Sequence, residues 1–134
     1  MNKSLLALDV GEKRIGVAVA DTSVRIAVPH DTIDVDGEEV RAIAEIVAGS
    51  NIDTIVVGYP RNQSGEATAQ TAVSEAMAER LKDLVNRIEF QDESLTSVMA
   101  ENRLKLRGHY TKADIDKEAA AIILQDYLEQ NYGS

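Results

Sequence analysis

The chain contains no cysteine and no tryptophan, and only one phenylalanine, two prolines and two histidines among 134 residues. Without cysteine there is neither a disulfide nor a thiolate ligand, and His30 and His109 alone do not make a typical zinc site, so any metal is expected to be held by oxygen. With Phe90 and four tyrosines as its whole aromatic content, base stacking is a minor theme, and shape and backbone recognition are the expected modes if the partner is a nucleic acid. Long apolar runs are missing too: the longest are five to seven residues, against the roughly 20 needed to cross a bilayer. No signal-peptide pattern stands at the N-terminus, and a soluble, cytoplasmic protein without a membrane partner is expected. Basic residues are in the minority, 14 against 23 acidic, for a net charge of −9. Such a field opposes non-specific attraction of nucleic acid but leaves room for a local basic site.

What is present is 44% hydrophobic residues without a low-complexity tract, enough for one globular domain, residues 1–134, that buries its own core. Residues 4 to 10 and 14 to 20 are two apolar runs separated by a four-residue turn and read as a β-hairpin, with Val24 to Ile33 as a third strand. Val40, Ile43, Ala44, Ile46 and Val47 then follow helical spacing up to Gly49, and Thr54 to Gly58 is a short buried strand. A polar loop, residues 59–66, leads to a long helix with Val73, Ala76, Met77, Leu81, Leu84 and Val85 on one stripe, then a strand over residues 88–91. A helix over residues 95–107 and a final helix after the Gly-His-Tyr-Thr turn complete the chain. The expected architecture is α/β: a mixed five-stranded sheet, three antiparallel strands first and then βα alternation, with helices on both faces.

Carboxylates stand where apolar residues belong. Asp9 ends the first strand, and an ionised carboxylate withdrawn from water persists only if it is hydrogen-bonded, paired or bound to a cation. Asp before Gly also makes turns, so the case depends on other acids. Asp92 and Glu93 end the last strand, where ligands of such sheets gather. Alternation does not choose between them, since the buried face of that strand is not legible. At the start of the last helix, about 100° per residue puts Asp116 with Ala120, Ile123 and Tyr127 on the apolar stripe, and Asp114 with Glu118, Gln125 and Glu129 on the wet face. Capping is an alternative reading for either acid, but Asp116, on the apolar stripe, needs compensation that Asp114 on the wet face does not, and so calls for a function. Three converging acids would repel one another unless cations intervene, and Mg²⁺ or Mn²⁺ fits an all-oxygen donor set. Two such ions about 3.5 to 4 Å apart stabilise the attacking and leaving oxygens in phosphodiester cleavage, leaving 5′-phosphate and 3′-hydroxyl ends. Cations lie nearby: Lys13 and Arg14 beside Asp9, Arg61 in the polar loop, and Arg103, Lys105, Arg107 and Lys112 in an acid-free stretch over residues 102–113. A solvated helix end accounts for that stretch equally well.

Four segments carry a resemblance. They are Asp9-Val10-Gly11 with Lys13-Arg14-Ile15-Gly16-Val17-Ala18; Val57-Gly58-Tyr59-Pro60-Arg61-Asn62 with Gly65; Asp92-Glu93 with Leu95-Thr96-Ser97; and Asp116 with Ala119-Ala120, Ile122-Ile123-Leu124 and Tyr127. In their order of strand-end Asp, strand-end acid and helix-borne Asp the chain resembles the ribonuclease H-like superfamily. Over nearly its whole length it resembles the YqgF family, described as pre-16S rRNA nucleases or Holliday-junction resolvases. The resemblance implies Asp9, Glu93 and Asp116 as catalytic residues and metal ligands, choosing Glu93 over Asp92. It also implies that Lys13, Arg14, Arg61 and Asn62 face the nucleic-acid backbone. Where the family usually has Arg after the Glu and often Asp before the loop glycine, this chain has Ser94 and Ser64; the absence of a cation at 94 bears on substrate choice. The expected function is metal-dependent 5′-end processing of pre-16S rRNA during ribosome biogenesis. Structured RNA stands ahead of a DNA junction as partner, with ribosomal precursor particles among the candidates, and the protein is expected to be a monomer or weak homodimer. Rival readings are a junction resolvase, a non-catalytic RNA-binding assembly factor, and a phosphate loop like that of actin-like ATPases. The last needs a second nucleotide-clamping domain, for which this chain has no room.

Overall fold

The first two apolar runs pair as an antiparallel hairpin, β1 (Ser4–Val10) with β2 (Arg14–Asp21), in a register that sets Asp9 opposite Gly16. This is a computed structural model, and it describes residues 2–60, 68–93 and 96–133, with the side chains of all but Thr96 and Ser97 among them. Expectations for Arg61, Asn62, Ser64, Gly65, Ser94 and Leu95 fall outside the described residues. The strand β3 (Val28–Asp34) pairs antiparallel with β2, after which α1 (Glu39–Ser50), β4 (Ile52–Pro60), α2 (Ala69–Leu81), β5 (Arg87–Glu93), α3 (Thr96–Arg107) and α4 (Lys112–Tyr132) follow. The sheet order is β3-β2-β1-β4-β5, with β4 parallel to both β1 and β5. This is the mixed five-stranded α/β sheet that the order of elements predicts.

Both faces are covered, as a parallel centre requires. Leu5, Ala7, Ala18 and Val56 pack under α4 through Ala120, Ile123, Leu124 and Tyr127. Their alternating neighbours Leu6, Leu8, Val17, Ile55 and Val57 pack under α1 and α2 through Ile43, Val47, Met77 and Leu81. The apolar stripe of α4 is therefore the lid on the sheet face that Asp9 shares with Leu5 and Ala7.

Two expected boundaries differ. The third strand starts at Val28 rather than Val24, because residues 24–27 find their hydrogen bonds elsewhere. Asp21 Oδ1 accepts from the Ser23 and Val24 amides, Arg25 takes φ +62°, and the Gln125 side chain accepts from the Ala27 amide and donates to the Arg25 carbonyl. The stripe on α2 is shorter than its periodicity suggests. The helix stops at Leu81, so Leu84 and Val85 lie in the turn beyond it; Ala76 is exposed, and Thr71 and Ser74 are buried in its place. Thr71 is inward because it completes a capping box with Thr68 and donates from Oγ1 to the Pro60 carbonyl at 2.5 Å.

Candidate active site

Asp9 closes β1 on the α4 face, partly buried at the carboxyl end of the strand. Two glycines let other elements reach it. A Cβ at Gly16, directly across the ladder from Asp9, would stand 1.9 Å from the Asp116 carbonyl oxygen, so α4 crosses β2 in van der Waals contact with bare backbone at the residue level with Asp9. A Cβ at Gly58 would stand 2.7 Å from Glu93 Oε2 and 2.8 Å from Ile123 Cδ1, so Glu93 lays its carboxylate over β4 beneath α4. Glu93 pairs in register with Pro60, and buried Gln91 with Gly58. These pairings fix the parity that alternation leaves open: Glu93 shares the face of Gln91 and Asp9, whereas Phe90 and Asp92 have the other parity and are exposed.

The electrostatics follow from this convergence. Burial pushes the Asp9 carboxyl from its ordinary 3.8 up to about 6, the charge of Asp116 pushes the same way, and hydrogen bonding with Glu93 opposes both. Asp116 is held in turn by Arg14, whose Nε donates to Asp116 Oδ2 at 2.5 Å. Arg14 opens β2 two residues before Gly16 and so projects on the same face. Asp114, two residues from Asp116, does the capping: its carboxylate accepts from the Thr111 amide at 2.9 Å, and that hydrogen bond lowers its pKa below the usual carboxylate value.

The expected cations divide. Arg14 is engaged in the acid cluster, because the crossing of α4 over Gly16 brings Asp116 to it. Lys13, Arg107 and Lys112 are exposed, in the β1–β2 turn, at the end of α3 and at the start of α4. Arg103 is exposed and engaged with Glu118 at 3.4 Å. Two positioning residues escape the sequence reading. The Gln70 side-chain amide donates to the Val10 carbonyl just beyond Asp9, and Thr71 to that of Pro60, so the first turn of α2 clamps the ends of β1 and β4. The T-x-x-T capping pair at Thr68 and Thr71 was the available signal.

The donor set suits a hard divalent ion: carboxylate oxygens from β1, β5 and α4, with no sulfur or imidazole among them. Among the described residues, no three His, Asp or Glu side chains close round a common point as they stand; Asp116 is turned to Arg14. Burial of Asp9 and, after it, the charge of Asp116 disfavour the Asp9 carboxylate, and a bound cation would relieve both.

Residues 3–130 match the model of the RuvX family, described as Holliday junction resolvase. A Chloroflexus aurantiacus protein named "Putative pre-16S rRNA nuclease" is 46% identical over 132 residues, covering 93% of this chain and 86% of that one. Proteins of the same name from Caldanaerobacter subterraneus and Synechocystis are 40% and 38% identical, covering 97% and 92% of this chain and 99% and 86% of theirs. Among solved structures, Thermus thermophilus RuvC in complex with a Holliday junction substrate superposes with a TM-score of 0.59 at 14% identity, covering 97% of this chain and 96% of that one. The fowlpox virus resolvase with Holliday junction DNA superposes with a TM-score of 0.57 at 11% identity, covering 95% and 97%. At these identities the likeness is one of fold, and the fold is that of RuvC-like resolvases within the ribonuclease H-like class. By its family match and its relatives over nearly the whole chain, this protein belongs to the RuvX family, also called YqgF.

Proposed function

We propose that the protein is a divalent-cation-dependent nuclease that trims the 5′ end of pre-16S rRNA, with Asp9, Glu93 and Asp116 as its catalytic carboxylates and metal ligands. The observation that supports this reading is their placement: acids from β1, β5 and α4, far apart in sequence, stand on one sheet face at the strand ends, where Asp9 is buried, hydrogen-bonds with Glu93 and feels the charge of Asp116. A capping or turn role explains any one of them, but not three acids placed on one face around a buried carboxyl. The names of the relatives, at 36–46% identity, supply the RNA substrate.

Asp9, Glu93 and Asp116 would hold Mg²⁺ or Mn²⁺, which supplies Lewis acidity for phosphodiester hydrolysis, lowering the pKa of water and neutralising charge at the departing oxygen. The chain's own residues do the rest. The Gln70 and Thr71 hydrogen bonds hold the carboxyl ends of β1 and β4 in place, and with them the backbone that carries Asp9 and flanks Glu93. Lys13, Arg107 and Lys112 offer exposed positive charge to the substrate backbone, and Arg61 and Asn62 extend that set by the family resemblance. No second titrating base is required of histidine or cysteine.

The test is cleavage of a labelled pre-16S 5′-leader RNA, an unrelated single-stranded RNA and a four-way DNA junction with Mn²⁺, beside Asp9→Asn and an EDTA control. The expected outcome is metal-dependent cutting of the leader RNA to 5′-phosphate and 3′-hydroxyl ends, reduced at least a hundredfold in Asp9→Asn, a loss of about 2.7 kcal/mol of transition-state stabilisation. Paired symmetric cuts in the junction alone would move the function to recombination, the reading that the family's description favours. Salt-sensitive binding without cutting of any substrate would make the protein an assembly factor.

A further inference from the structure

Arg14 brings a full positive charge into a cluster otherwise made of carboxylates. Its Nε lies 2.5 Å from Asp116 Oδ2, with the two side chains 34% and 24% exposed. The backbone dictates the pairing: Arg14 is two residues from Gly16, over which the Asp116 carbonyl crosses, so both side chains start from the same spot on the α4 face. A guanidinium does not lose its proton in a protein, so this charge leaves the cluster only if the side chain moves. A cation bound at Asp116 Oδ2 and a guanidinium donating to that oxygen compete for its lone pairs, and repulsion between the two cations adds to the competition.

We infer that Arg14 is a built-in counter-ion of the carboxylate cluster, occupying Asp116 when no divalent ion is bound and displaced from it when one binds. The inference rests on the reading of Asp9, Glu93 and Asp116 as metal ligands. In the metal-free protein Arg14 offsets repulsion among the three acids and keeps Asp116 turned away from a shared ion position. Divalent binding therefore includes breaking this ion pair, which weakens affinity. The freed guanidinium, standing at the edge of the site, then has a new anion to meet in the substrate phosphate, so the phosphate-facing role implied by the family resemblance and the pairing seen here are two states of one side chain.

The experiment measures Mn²⁺ affinity without nucleic acid, by calorimetry and by the paramagnetic resonance signal of free Mn²⁺, for the wild-type chain, Arg14→Gln, Arg14→Lys and Lys13→Gln. Arg14→Gln is expected to bind Mn²⁺ on the order of tenfold more tightly than wild type and to melt at a lower temperature in EDTA. Arg14→Lys, which keeps the charge, is expected to stay near wild type. Lys13→Gln removes an exposed charge next door and is expected to change affinity less than about twofold, because that charge is screened by solvent. Equal or weaker Mn²⁺ binding by Arg14→Gln overturns the inference while leaving the metal site standing, as does an equal gain in Lys13→Gln. No saturable Mn²⁺ binding by wild type overturns the metal reading, and this inference with it.

Discussion

Asp9 is the residue at which burial and ionisation pull in opposite directions. Its carboxyl titrates at about 6 in the folded protein against 3.8 ordinarily, first because of burial and then because of Asp116. Between those two values the folded state binds more protons than the unfolded chain, so the metal-free protein loses stability as pH rises through that window, and above about 6 the loss is complete. Asp9→Asn removes the ionisation and should raise the melting temperature in EDTA at pH 7.5, by an amount equivalent to about 3 kcal/mol. The gap should close below pH 4, where wild-type Asp9 is protonated in both states. Scanning calorimetry of both proteins across pH 4 to 8 checks this, and a constant difference at all pH values would assign the effect to packing. Asp114 is the contrast. It was separable from Asp116 by the helical wheel, and its lowered pKa comes from a cap at the Thr111 amide.

At the scale of elements, the site depends on how closely α4 lies on β2. Only glycine leaves room at position 16, where an added Cβ would stand 1.9 Å from a helix carbonyl that is backbone and has no rotamer to yield. Gly16→Ala should therefore lever α4 off the sheet, costing about 3 kcal/mol or more and separating Asp116 from both Asp9 and Arg14. Gly49→Ala is the matching control. It lies in α1 with nothing within 4 Å of its added Cβ, and it should be neutral or stabilising by up to about 1 kcal/mol. Urea denaturation of the two variants reads the difference; equal stabilities would mean that α4 does not ride on Gly16. The first turn of α2 acts on the other side of the site, where Gln70 and Thr71 fix the ends of β1 and β4.

Over the whole molecule, the net charge of −9 has the sign of a nucleic-acid backbone, so attraction to such a partner would have to be local. Lys13, Arg107 and Lys112 are exposed, while Arg103 is engaged by Glu118. Affinity for single-stranded RNA should fall steeply with salt. Replacing Arg107 and Lys112 together by Ala should lower the slope of log K against log salt by about 1.4, or roughly 0.7 for each phosphate that no longer meets a cation. Arg103→Ala should change it less, because its charge is already partly balanced. Fluorescence anisotropy across a salt series measures all three proteins, and an unchanged slope in the double variant would leave the basic segment as a solvated helix end.

The order of elements, the hairpin, the βα alternation and the apolar stripe of α4 were legible in the chain, because periodicities of 2 and 3.6 are local properties of the backbone. For the same reason Asp116 could be told from Asp114 along one helix. Glu93 could not be told from Asp92 by spacing, since the buried face of a strand is set by what packs on it; the family resemblance chose Glu93, and the pairing of β5 with β4 gives it the face of Asp9. The late start of β3 was hidden because Gln125, about a hundred residues away, takes the hydrogen bonds of residues 25 and 27. The partner of Arg14 was hidden likewise: its neighbour in space, Asp116, lies 102 residues along the chain. The sequence by itself determined which elements form and which residues bear charge. Tertiary structure alone decided which charges meet, because that depends on strand order and on the close approach of α4 to two glycines, and neither leaves a local trace.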